Sequence, residues 1–83
     1  MPRPGGSARV TLADLKRGMT ARIVEVDARW PDVVRLMVLG LVEGVPVALR
    51  NAAIGGDPIE ISVLGASISV RREQARHFRI EAA

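Results

Sequence analysis

The stretch Gly55-Gly-Asp-Pro-Ile-Glu-Ile-Ser-Val-Leu-Gly-Ala-Ser-Ile-Ser-Val-Arg-Arg-Glu-Gln-Ala75 decides the fold. Ile59, Ile61 and Val63 alternate with Glu60, Ser62 and Leu64, the period of two of a strand with one buried and one wet face. Gly65-Ala66-Ser67 reads as a turn. Ile68 and Val70 then resume the alternation between Ser67, Ser69 and Arg71, which predicts a hairpin whose β-branched side chains face one way. An apolar hairpin face needs a cover, and the rest of the chain predicts a small, strongly bent and closed β-barrel.

Downstream of the hairpin, Arg72-Glu-Gln-Ala-Arg76 is long enough for one helical turn, with Ala75 facing inward. Phe78 and Ile80 form a closing strand. Upstream, Asn51 to Asp57 reads as a loop, and Val45, Val47 and Leu49 alternate in a strand that Pro46 places at an edge or confines to its first residues. Pro31 opens a helix over about residues 32–39, which Gly40 stops. On a wheel Val33, Leu36 and Leu39 or Gly40 make one apolar face, while Val34, Met37, Val38 and Leu41 make a second. Only Arg35 is charged between Val33 and Val42, and a small domain can hardly bury both faces. Met19 to Ala28 reads as the first strand, and the odd spacing of its inward residues, Ile23 and Val26, predicts a bulge near Val24 or Glu25. Thr11 is a suitable N-cap for a single turn over Leu12–Arg17, closed by Gly18, that directs Leu12 and Leu15 into one end of the barrel.

With 83 residues the chain makes one domain that hides only roughly 60–65% of the surface its unfolded form exposes. Residues 1–8, rich in Pro and Gly, read as a flexible tail, and residues 9–83 as the domain. There is no cysteine, which removes disulfides, thiolate nucleophiles and Cys-based metal sites. The net charge is only +3, eleven of the twelve basic residues being Arg with acids interleaved, and the chain has one Trp and one Phe. That disfavours the basic, aromatic-studded stripe of a nucleic-acid binder. Met1 to Ser7 leads into no apolar core of a secretory signal, and the longest apolar run, Leu36 to Val42, falls far short of the ~20 residues that span a bilayer. A cytoplasmic chain is expected.

Three segments carry a family resemblance: Leu12-Ala-Asp-Leu-Lys-Arg-Gly18, Arg35-Leu-Met-Val-Leu-Gly-Leu-Val-Glu-Gly44, and Gly56-Asp-Pro-Ile59 running through Ile68-Ser-Val-Arg71 to Ala75. The sequence resembles the FeoA family, the small cytosolic component of bacterial ferrous iron transport systems. The resemblance implies an SH3-like β-barrel with no enzymatic activity and no cofactor, associated with transition-metal transport through contact with the FeoB transporter. The same barrel forms the C-terminal domain of iron-dependent repressors, so a nucleic-acid-associated or transcription-regulatory module is the alternative. The chain departs from the family at Met37 and Val38, where polar residues are common, and contiguous exposed apolar surface marks a contact. Val34, Arg35, Met37 and Val38 are therefore the expected interface with a partner or a second copy. Arg71 and Arg72, with Arg76 and Arg79, form the densest basic group, suited to an acidic patch on a partner.

No catalytic or metal-ligating set is expected. His77 is the single histidine, with Glu73 four residues earlier and within its reach if the turn is helical, and a dedicated site needs three or four ligands. Ser62, Ser67 and Ser69 are the wet positions of alternating strands, without the base and acid of a triad. Asp27 with Asp32, and Asp57 with Glu60, lie near turns rather than in an apolar concavity.

Overall fold

The computed structural model describes residues 10–82. β3 (Ile59–Val63) and β4 (Ala66–Val70) form the expected hairpin, with Ile61 opposite Ile68 and Ile59 opposite Val70. All five of their β-branched inward residues are buried. The turn differs from expectation: it consists of Leu64 and Gly65, at φ 50° and 83°, the type I′ geometry whose twist matches the flanking strands. A turn over residues 65–67 would set Ile68 opposite Leu64 and Val70 opposite Ser62. That register puts the branched side chains of the two strands on opposite faces. Ala66 and Ser67 therefore belong to β4, and Leu64 stands in solvent.

β1 (Thr20–Val26), β2 (Pro46–Ala52) and β5 (Phe78–Ala82) complete one antiparallel sheet in the order β4-β3-β2-β1-β5. β2 is thus the central strand and not an edge. Pro46 is tolerated because it is the first residue of the strand, opposite Arg22. The β1–β5 register shifts between Ile23 and Glu25, the bulge that the spacing of Ile23 and Val26 requires. A second shift lies between Leu49 and Asn51 against β3. Bulges raise local twist and bend strands, which lets five short strands wrap one core. Its largest wholly buried side chains include Phe78, Leu12, Ile23 and Leu41, each contributing roughly 2–3 kcal/mol on leaving water.

The mainly β, SH3-like architecture is present, but the strands do not close into a ring: β4 and β5 lie at opposite ends of the sheet. The chain passes from one to the other through the short helix α2 (Arg72–Ala75), so helical backbone spans the seam. Ala75 is wholly buried there, as expected. The N-terminal turn packs beside it and is a 3-10 turn over Leu12–Asp14, shorter than predicted. Thr11 caps it, its hydroxyl accepting from Ala13 N–H (3.3 Å) while its own N–H donates to Asp14 Oδ2 (2.9 Å). Leu15 is already extended (ψ 135°), which ends the turn early yet keeps both Leu12 and Leu15 buried. Residues 1–8, read as a tail, lie outside the described residues.

Candidate partner-binding surface

α1 (Pro31–Val38) carries the surface that the sequence singles out. Pro31 starts it at a position where no backbone N–H is needed, and Asp32 holds it in place. Asp32 Oδ1 accepts from Val33 N–H (3.0 Å), and Oδ2 accepts from Gln74 Nε2 (3.1 Å). Gln74 Oε1 in turn accepts Arg71 N–H at 3.1 Å. One glutamine side chain therefore fastens the start of α1 to the start of α2.

The far end of α1 closes in a Schellman motif. Leu41 N–H donates to Leu36 C=O (3.1 Å) and Gly40 N–H to Met37 C=O (3.0 Å), with Gly40 at φ 123°. This geometry brings the residue after the glycine back beside the last turn of the helix. Leu41 is consequently buried with Leu36 in the core, and the wheel that placed it on an outer face fails because the residue is no longer helical. Leu39, which the wheel could place inward, is 57% exposed.

Val33 and Leu36 face the core, whereas Val34 is 42% and Val38 81% exposed, with Val42 also exposed. Met37 is half-buried and packs against the core edge. Arg35 lies exposed on the same helix. Four of the six predicted contact residues thus share α1, and Leu39 and Val42, which sequence reasoning did not place there, are further exposed apolar side chains at its C-terminal end. The signal for them was Gly40 with Leu36 four residues before it and Leu41 directly after it, the apolar pair of a Schellman cap. Arg71 is exposed at the head of α2. Arg72 is different: Nη1 donates to Ala13 C=O (2.6 Å), Nε donates to Gly56 C=O, and its backbone N–H donates to Asp57 Oδ1 (3.0 Å). Its guanidinium is engaged within the chain, with both partners half-buried.

A cleft of about 360 Å³ lies apart from α1's outer face, between the end of β1 and the start of β5. Asp27 accepts two hydrogen bonds from the Arg29 guanidinium (2.9 and 2.8 Å), which hold its carboxyl well below the usual carboxylate range. Arg79 Nε lies 3.0 Å from Glu25. His77 Nδ1 lies 3.9 Å from Asp27, and the imidazole packs against the half-exposed Trp30 ring with centroids 5.3 Å apart. The carboxylate that His77 meets is therefore Asp27 and not Glu73, because β5 pairs with β1. Among the described residues no three His, Cys, Asp or Glu side chains converge in a metal-holding group, and no helix is long and apolar enough to cross a membrane.

The FeoA domain profile matches residues 10–82. The fold is similar to that of the FeoA protein from Chlorobium tepidum, with 34% identity over 88% of this chain and 70% of that one and a TM-score of 0.80. Iron(II) transport protein A from Clostridium thermocellum is 26% identical over 89% of this chain, with a TM-score of 0.83. This chain spans 46% of that protein's length. The zinc-complexed Stenotrophomonas maltophilia FeoA, described as a prokaryotic SH3 domain protein, shares the fold at 23% identity, a TM-score of 0.67, and 87% and 89% coverage of the two chains. No curated protein matches the sequence.

Proposed function

Because the chain belongs to the FeoA family, an SH3-like domain associated with ferrous iron transport, we propose that it is a non-enzymatic accessory protein of the cytosol. It acts by docking on the cytosolic domain of a FeoB-type transporter. The observation that carries this reading is the apolar surface that α1 and its Schellman turn leave in water, Val34, Val38, Leu39 and Val42 beside the half-buried Met37. A domain with a core this small has no folding reason to hold those side chains on adjacent turns of exposed backbone, and such patches mark contacts. Covering Val34, Val38 and Leu39 is worth roughly 3 kcal/mol, about two decades of affinity. Arg35 on the same helix, and Arg71 exposed at the head of α2, supply charge that speeds encounter with an acidic surface.

The test is a titration of the transporter's cytosolic domain with wild type and with Val34→Glu/Val38→Glu, both positions being exposed. Circular dichroism confirms that the variant is folded. Affinity is expected to fall at least tenfold. A folded variant that binds as wild type does would remove α1 from the contact, and binding that collapses steeply with salt would favour counterion-driven recognition over apolar docking.

A further inference from the structure

The two edges of the sheet are treated differently. Along β5 the outer edge is covered: Ile80 N–H donates to Val10 C=O at 2.9 Å, and Thr11 bridges Arg79. Along β4, among the described residues, β3 is the sole neighbour. The two-residue turn decides which backbone groups of β4 face outward. With Val63 opposite Ala66 beside the turn, Ala66, Ile68 and Val70 exchange hydrogen bonds with β3. The N–H and C=O of Ser67 and Ser69 then point away from the sheet, and both residues are exposed. Edge strands are ordinarily guarded by lysine, proline or a bulge. Ala66-Ser-Ile-Ser-Val70 has no charge and no proline, and its register with β3 is unbroken.

We propose that this edge is a self-association site, where β4 pairs antiparallel with β4 of a second copy of this chain about a twofold axis beside Ile68. The register is what selects a second copy. Centred on Ile68, the pair sets Ser67 against Ser69 of the second copy and Ala66 against Val70, so the whole strand is used and each outward donor meets an outward acceptor. No like charges meet, because Arg71 and Arg72 fall against Gly65 and Leu64. The exposed Leu64 (77%) is brought to the same seam. The pairing joins two five-stranded sheets into one and leaves both α1 faces free, so it stands independently of the proposed docking on the transporter.

Backbone amide exchange, followed by NMR from micromolar to about millimolar protein, reads the pairing directly. Protection of the Ser67 and Ser69 amides should rise several-fold with concentration, while Ala66, Ile68 and Val70, already bonded to β3, stay unchanged. Sedimentation then tests the register. Ser67→Lys/Ser69→Lys sets lysine against lysine twice across the axis and should be monomeric throughout. Ser67→Glu/Ser69→Lys differs at one position, sets opposite charges together twice, and should associate at least tenfold more tightly than the two-lysine variant. A wild type that stays monomeric with unchanged Ser67 and Ser69 exchange at millimolar concentration would overturn the proposal. A dimer that tolerates the two lysines, or that both variants abolish equally, would overturn it too.

Discussion

Replacing Arg72 by Met keeps most of the apolar stem and deletes the guanidinium, which leaves the carbonyls of Ala13 and Gly56 without their donor. Those carbonyls belong to the N-terminal turn and to the β2–β3 connection, so the arginine ties three separate segments together across the seam between β4 and β5. A hydrogen bond from a charged donor contributes about 1.5–3 kcal/mol. Both carbonyls lie in half-buried residues, so water recovers part of each bond, and the loss is about 2–3 kcal/mol in all. For a domain of this size that lowers Tm by roughly 10–20 °C. Thermal unfolding followed by circular dichroism at neutral pH reads it, with Arg71→Met as the comparison. Arg71 is exposed and uses its backbone N–H, which survives the substitution, so that variant should stay within about 0.5 kcal/mol of wild type. If Arg72→Met melts with Arg71→Met and wild type, the seam is not held by this side chain and the case for removing Arg72 from the docking surface falls.

Leu41→Ala should destabilise by about 2–5 kcal/mol in urea titrations, while Leu39→Ala, two residues away and mostly exposed, should cost under about 0.5 kcal/mol. Equal costs would mean that the helix continues through Gly40. Leu64→Asn should stabilise by about 0.5–1 kcal/mol, because Asn tolerates the positive φ that Leu64 adopts in the type I′ turn; a lower melting temperature would argue against that turn. The Arg29 guanidinium depresses the Asp27 carboxyl in the folded chain, so the pair contributes stability that is present above the unfolded carboxylate pKa of about 4 and is lost as pH falls below it. Asp27→Asn should therefore have a lower urea midpoint than wild type at pH 7 and one that converges with it in strong acid. A gap that persists unchanged at low pH would refute the ion pair as its cause.

Much of the sheet is legible along the chain because each strand advertises itself locally. Alternation names the inward residues of β3 and β4, the misfit between Ile23 and Val26 reveals the bulge in β1, and Pro31 and Gly40 bracket α1. The candidate surface is legible too, as an apolar excess around Met37 and Val38. What local pattern obscures is how neighbouring segments are joined. The hairpin turn needed the parity between β3 and β4, since the composition Gly65-Ala66-Ser67 looks as turn-like as Leu64-Gly65. Leu41 needed the reversal at Gly40, which removes it from the helical wheel.

By itself the order of residues determined that there are five strands, which residues of the hairpin face inward, the Pro31 and Gly40 that bracket α1, and the family, because these depend on interactions that reach only a few positions along the backbone or on motifs read directly. The tertiary structure alone decided that β2 is central, that the ring of strands stays open, and that Arg72 is a fastener whose partner Ala13 lies 59 positions away. Those outcomes follow from which segments meet in space. No periodicity records that, because a charged side chain beside a distant carbonyl leaves the same letters in the sequence as one pointing into water.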